Sequence, residues 1–124
     1  MIGATAAKVA VNEIDVTTNQ NCCNLIVNTA HTHHRFVYYW LCREYENLRA
    51  LAPGAVPIIN AGTIRQYRVP IPPLEEQARI VAILDKFDAL VNDLSVGLPA
   101  ELAARRKQYE YYRDRLLTFK EAAR

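Results

Sequence analysis

The pattern of apolar and polar positions predicts short strands at the start of the chain and helices after it. Three stretches rich in apolar and β-branched residues are interpreted as strands, Lys8–Val11, Ile14–Val16 and Cys23–Val27. Asn12 and Glu13 are suited to a hairpin turn between the first two strands. Thr17–Asn21, between the second and third, is predicted to be a polar loop.

Apolar residues then recur every three or four positions, which predicts a helix from His33 to Leu51. Thr32 is expected to cap its start, and Pro53 with Gly54 to end it. Beyond it, Val56–Ile59 is predicted to be a short extended stretch and Thr63–Tyr67 one helical turn. The helical positions are Phe36, Val37, Trp40, Leu41, Glu44, Tyr45, Leu48 and Leu51.

Two long helices are predicted in the last part of the chain. The first runs from Leu74 to Ser95. Pro73, directly before it, is suited to the start of a helix, and Glu75 and Glu76 lie in the first turn, where the helix dipole favours negative charge. Gly97 is expected to close it. The second runs from Pro99 to about Lys120, and its apolar and aromatic seam predicts packing against another helix. The seam consists of Leu98, Leu102, Arg105, Tyr109, Tyr112, Leu116 and Phe119.

Composition narrows the class of protein. The chain has 124 residues, and 51% of them are apolar, enough for one small folded domain. There is no apolar run of about 20 residues and no secretory signal pattern, so a cytoplasmic protein without membrane contact is expected. Three cysteines do not make a disulfide framework. The net charge is only +2, although residues 99–124 hold seven basic and four acidic side chains.

No catalytic, metal or cofactor site is predicted. The histidines near residue 33 and the three cysteines lack the spacing of zinc ligands. A glycine-rich loop for phosphate or for S-adenosylmethionine is also missing. Arg105, Arg106 and Lys107 are interpreted as a solvated helix face, with ion pairs Glu101–Arg105 and Arg106–Glu110 at a spacing of four. Contact of these cations with phosphates is the alternative.

Two groups of polar residues are candidates for binding DNA. The first is in the polar loop, because asparagine and glutamine amides pair with adenine in the major groove. An ordinary turn is the competing interpretation for each of its residues. The second group lies in a stretch without acidic residues and is suited to positioning on phosphates. The candidates are Thr18, Asn19, Gln20 and Asn21 in the loop, and Arg65, Gln66 and Arg68 in the second group.

Three blocks of sequence resemble one protein family. The run Pro70–Asp85, which contains Pro-Pro-Leu-Glu-Glu-Gln, is similar to the junction between a target-recognition domain and a helical spacer in specificity (S) subunits of type I restriction–modification enzymes. Asn60–Ile64 precedes this block and Gly97–Arg113 follows it, as in the family. The opening Ile2–Val9 resembles an internal strand of the recognition domain, where the family usually has a glycine at the position of Ala7.

The resemblance implies an α+β fold, with a partial target-recognition domain in residues 1–73 and a coiled-coil-like helical spacer in residues 74–124. The front part of the recognition domain is expected upstream of Met1. The implied function is a specificity subunit without catalysis that binds double-stranded DNA, the methylation subunit and, through it, the restriction subunit. A homodimer is expected through the helix residues Leu102, Tyr109, Tyr112, Leu116 and Phe119. Folding of this helix back on Leu74–Ser95 through the Gly97–Pro99 break is the alternative. The rival interpretation is a helical dimerisation and docking module that binds methylation subunits without specific DNA binding.

Overall fold

The computed structural model describes residues 7–19, 22–52, 59–92 and 99–119. The chain divides into two compact units, Met1–Val69 and Pro70–Arg124. Among the described residues, the first unit has three helices and the second has two. They are α1 (His34–Arg43), α2 (Tyr45–Ala50), α3 (Ala61–Gln66), α4 (Leu74–Asn92) and α5 (Pro99–Leu116).

The α+β prediction is confirmed only in its helical part, because the described residues contain five helices and no β-strand. Lys8–Val11, Ile14–Val16 and Cys23–Val27, which were predicted to be strands, are irregular. Only Val9 and Cys23 are isolated bridge residues. The prediction was wrong here because an apolar alternation fits a sheet without supplying the neighbouring strands that a sheet needs.

The helix predicted from His33 to Leu51 is two helices. Its cap is His33, not Thr32, because the His33 Nδ1 accepts a hydrogen bond from the Arg35 N–H at 3.2 Å. Glu44 separates α1 from α2, with φ −81° and ψ 9°. The predicted stop at Pro53 and Gly54 lies outside the described residues.

The core of the first unit joins the start of the chain to α1 and α2. Ala7, Leu41 and Leu48 are buried together, and the part-buried Ile59 and Tyr67 pack against them. Ala7 has a φ of 70°, in the left-handed region where glycine is favoured. The positive φ is therefore found at the position where the family usually has a glycine.

The second unit is formed by α4 and α5, which pack against each other. Fully buried side chains on α4 include Ile80 and Leu84, and Leu117 is fully buried just after α5. The rings of Phe87 and Tyr112 stack with centroids 5.3 Å apart. The helix α5 ends at Leu116, before the predicted Lys120. The predicted break at Gly97 lies outside the described residues, and the coiled-coil geometry stays a prediction.

Candidate functional site

The segment from Ile64 to Val69 presents the candidate cations to solvent. Ile64 is buried and Tyr67 is part-buried in the first unit, while the residues between and beside them point outward. The side chains of those exposed residues form no hydrogen bond or salt bridge with any residue that the structure describes. They are the three candidates Arg65, Gln66 and Arg68.

The start of this segment is held by the cap of α3. The Asn60 Oδ1 accepts hydrogen bonds from the Thr63 N–H at 2.8 Å and from the Thr63 hydroxyl at 3.0 Å. A Cβ added at Gly62 would lie 3.3 Å from the same oxygen, so a larger residue there would press on the cap. The Asn-Ala-Gly-Thr sequence therefore fixes the direction in which α3 leads to Arg65.

The middle of the segment is held by Tyr67, whose hydroxyl donates a hydrogen bond to the Glu44 Oε2 at 2.5 Å. The Asn47 amide donates to the same oxygen at 2.7 Å, and the Arg43 guanidinium donates to the Glu44 Oε1 at 2.7 Å. Glu44 is 9% exposed, so these three donors satisfy a buried carboxylate. The network ties the candidate cations to the junction of α1 and α2.

The same network changes the acidity of both partners. Burial of Glu44 by itself raises its pKa, but the hydrogen bonds from Asn47 and Tyr67 and the charge of Arg43 outweigh burial and lower the pKa below its ordinary value of 4.5. Burial of Tyr67, followed by its hydrogen bond to the Glu44 carboxylate, raises the pKa of Tyr67 from 10.0 to about 12. At neutral pH the pair is therefore a neutral phenol that donates to a charged carboxylate.

The polar loop is held on itself by side-chain hydrogen bonds. The Thr18 hydroxyl and the Asn24 side chain exchange hydrogen bonds at 2.9 and 3.2 Å. The Cys22 N–H donates to the Asn19 carbonyl at 3.1 Å, which closes a turn. Thr18 is part-buried and Asn19 is exposed, whereas Gln20 and Asn21 lie outside the described residues.

One cavity of the first unit is lined by residues next to each candidate group. Its volume is about 350 Å³, and its lining includes Asn24 from the polar loop side and Tyr67 from the cation segment. Asn24 is the hydrogen-bond partner of Thr18, and Tyr67 lies between Arg65 and Arg68 in the chain. The sequence patterns did not single out Asn24 or the Glu44–Tyr67 pair, because neither belongs to a local motif.

The helix candidates of the second unit differ in exposure. Leu102, Tyr109, Leu116 and Phe119 are part-buried, and Tyr112 is 41% exposed while its ring stacks on Phe87. The predicted ion pair Glu101–Arg105 forms at 2.7 Å. Among the described residues, Arg106 and Glu110 form no such pair.

Two residues of the second unit were missed from the sequence. Gln77 is fully buried, and its Nε2 donates to the Pro72 carbonyl at 2.7 Å, which fastens the extended entry to the first turn of α4. Leu117 is fully buried although the heptad pattern pointed to Leu116. A glutamine within the apolar stripe of a helix was the available signal for Gln77.

The described residues contain no group of three histidine, cysteine or acidic side chains that could hold a metal ion. All three cysteines are free thiols. None of the described helices is both long and apolar enough to cross a membrane.

Comparison with known proteins connects the chain to one family. Residues 1–104 match the type I restriction modification DNA specificity domain. The chain is 43% identical over 88 residues to the EcoR124I/EcoR124II specificity subunit of Escherichia coli, covering 68% of this chain and 22% of that protein. It is 33% identical over 124 residues to a putative type I specificity subunit of Mycoplasma pneumoniae, covering 94% of this chain and 38% of that protein.

A putative type I restriction enzyme specificity subunit of Haemophilus influenzae is 44% identical over 66 residues, which cover 53% of this chain and 17% of that protein. The chain thus spans between 17% and 38% of the length of these three relatives. No solved structure matches the chain. The resemblance inferred from the three sequence blocks is confirmed by the family match.

Proposed function

The chain belongs to the family of type I restriction–modification DNA specificity domains, and on that premise we propose that it is a non-catalytic DNA sequence-recognition subunit or a part of one. The observation that carries this proposal is the anchored, exposed segment with Arg65, Gln66 and Arg68. These side chains are not engaged with any described residue. Guanidinium groups held in this way are suited to phosphates, which position a protein on a duplex.

The polar loop supplies the second part of the proposed DNA surface. Asn19 is exposed, and its carbonyl accepts a hydrogen bond from the Cys22 N–H. Gln20 and Asn21, which lie outside the described residues, stay candidates for contacts with bases. Asparagine and glutamine amides match the donor and acceptor pattern of adenine. We assign base contacts to this loop and phosphate contacts to Arg65 and Arg68.

The proposed partners are double-stranded DNA, a type I methylation subunit and, through it, a restriction subunit. We place this assembly in the cytoplasm, which the three free cysteines support. The recognition segment is residues 1–73 and the spacer is residues 74–124. The methylation subunit is proposed to dock on the spacer, because α5 carries exposed Tyr111 beside Arg115.

A homodimer through the helices is also proposed. The packing of α4 on α5 already buries Leu117 and stacks Tyr112 on Phe87, so the seam is partly covered within one chain. What stays available to a second copy is the part of the seam that remains exposed beside the contact with α4. The residues assigned to this surface are Leu102, Tyr109, Tyr112, Leu116 and Phe119.

The alternative function is a helical docking module that binds methylation subunits without specific DNA binding. Aromatic and cationic residues together on α5 favour it, because Arg113 lies over the Tyr109 ring at 5.9 Å and Arg115 over the Tyr111 ring at 5.8 Å. Such pairs are frequent in protein interfaces. The two functions differ in whether unit Met1–Val69 binds DNA.

A salt-dependent titration of labelled duplex tests the DNA function. We expect a dissociation constant in the non-specific range of roughly 10⁻⁴ to 10⁻⁶ M at physiological salt. The double variant Arg65→Ala, Arg68→Ala should lower the slope of log affinity against log salt by about two, since each phosphate contact contributes about one.

Lys86→Ala removes an exposed cation from α4 and is the matched control, with no expected effect on the slope. An unchanged slope in the double variant would favour the docking module. Nanomolar binding to one sequence, lost in the same variant, would show that the isolated chain reads DNA by itself.

A further inference from the structure

Tyr67 lies at the point where α3 ends and the chain becomes extended. Its backbone N–H donates to the Ile64 carbonyl at 3.0 Å, and its φ and ψ are −71° and 126°. Arg65 therefore belongs to the last turn of the helix, whereas Arg68 directly follows the change of backbone direction. The placement of one guanidinium group relative to the other depends on how the backbone is held at Tyr67.

The inner side of this stretch is held by a polar contact as well as by apolar packing. Ile64, Tyr67 and Val69 line the cavity of about 350 Å³, so on that side they do not meet a closely packed neighbour. Apolar contacts are also non-directional. The hydrogen bond from the Tyr67 hydroxyl to the Glu44 Oε2 at 2.5 Å is directional, and it fixes where the ring lies.

Glu44 is a fixed acceptor for this hydrogen bond. Its backbone N–H donates to the Trp40 carbonyl at 3.0 Å, and its carbonyl accepts from the Leu48 N–H at 2.8 Å. Its carboxylate also accepts from the Arg43 guanidinium and from the Asn47 amide, each at 2.7 Å. A side chain held at both its backbone and its carboxylate can hold a partner in place.

We propose that Tyr67 is a positioning residue for DNA, which holds Arg65 and Arg68 in the arrangement in which both contact phosphates of one duplex. This inference rests on the proposed DNA function and adds to it a residue that does not itself touch the nucleic acid. A surface that is ordered before binding avoids the entropy cost of ordering it in the complex. Without the Tyr67 hydroxyl, part of that cost falls on DNA binding, and the two arginines no longer reach their phosphates together.

Titration of labelled duplex at several salt concentrations tests this role. Tyr67→Phe keeps the ring and both arginines and removes only the hydroxyl. We expect the slope of log affinity against log salt to fall by about one, because one of the two phosphate contacts is lost. Far-UV circular dichroism before each titration restricts the comparison to folded protein.

Asn47→Ala is the matched control for damage to the buried carboxylate. It removes a donor to the same Glu44 oxygen and leaves the Tyr67 hydrogen bond in place. Its salt slope should equal that of the wild type. If Asn47→Ala lowers the slope as much as Tyr67→Phe does, the effect belongs to the stability of the network, and the positioning role is refuted.

A double-mutant cycle separates positioning from a general loss of structure. In the Arg65→Ala, Arg68→Ala background, Tyr67→Phe should change neither the affinity nor the slope further, because the groups that it positions are gone. An equal effect of Tyr67→Phe in both backgrounds, or a wild-type slope in Tyr67→Phe alone, would overturn the positioning role and leave the DNA function intact. A wild-type slope in the Arg65→Ala, Arg68→Ala variant itself would refute the proposed DNA surface, and the positioning role with it.

Discussion

At the scale of single residues, Ala7 combines a φ of 70° with a side chain that is 1% exposed. The left-handed conformation costs a non-glycine residue roughly 1–2 kcal/mol. Burial of the Ala7 methyl group with Leu41 and Leu48 offsets about 0.8 kcal/mol of that cost. The contact between the start of the chain and the helices is therefore made with backbone strain that a glycine would avoid.

Tyr67 connects the stability of the first unit to pH. Its pKa is raised from 10.0 to about 12 in the folded chain, so its contribution is complete below pH 10 and is lost as the pH rises through about 12. We expect Tyr67→Phe to lower the free energy of unfolding by about 1–3 kcal/mol at neutral pH, because the buried Glu44 loses a donor. The variant should also lose less stability than the wild type between pH 10 and 12.

Urea unfolding of both proteins across that pH range measures the difference. Other tyrosines titrate in the same window, so the comparison is between the two slopes, with Tyr111→Phe as a control on an exposed ring. Parallel slopes for wild type and Tyr67→Phe would contradict the prediction. At acid pH the stability depends on pH in the opposite direction. Because folding lowers the pKa of Glu44, the stability that this carboxylate contributes is lost as the pH falls through its pKa in the folded chain.

At the scale of elements, helices with strong local signals were predictable and their partners were not. Pro73 followed by Glu75 and Glu76 predicted the start of α4 to within one residue. The interruption of the first helix at Glu44 was not visible from the helical spacing, and the hydrogen bond of Glu44 to Tyr67 joins residues 23 positions apart. The strands failed for the same reason, since pairing is decided by distant segments.

The candidate site was predictable in composition and not in geometry. Arg65 and Arg68 were found because the stretch around them lacks acidic residues. Their anchoring by Asn60 and Tyr67 was missed, because a hydrogen bond between side chains depends on the folded backbone. A spacing pattern identifies which face a helix buries only to within about one residue, as Leu116 and Leu117 illustrate.

That difference of one residue gives a prediction for the second unit. Leu117 is fully buried and Leu116 is part-buried. Leu117→Ala should lower the free energy of unfolding by about 2–5 kcal/mol through the cavity that it leaves, and Leu116→Ala should lower it by roughly half as much or less. Urea unfolding monitored by circular dichroism measures both. A larger loss of stability in Leu116→Ala than in Leu117→Ala would contradict this prediction and support the heptad pattern, which assigned the packing to Leu116.

At the scale of the whole molecule, the two units are proposed to have separate partners. DNA is assigned to the first unit and the methylation subunit to the second. Deletion of residues 99–124 should weaken the association with the methylation subunit, but it also removes the fully buried Leu117 and the helix that packs against α4. A loss of binding after this deletion would therefore mix docking with unfolding of the second unit.

Point variants on the outer face of α5 avoid that ambiguity. Tyr111 is 55% exposed and accepts a hydrogen bond from the Arg115 guanidinium at 3.3 Å, so the pair presents an aromatic and a cationic group together. Replacing both with alanine should weaken co-purification with a cognate type I methylation subunit at least tenfold, because such residues carry much of the binding energy at interfaces. Arg65→Ala and Lys86→Ala should leave the association unchanged. If the double variant binds as the wild type does, the methylation subunit docks on the first unit and α5 is left to self-association.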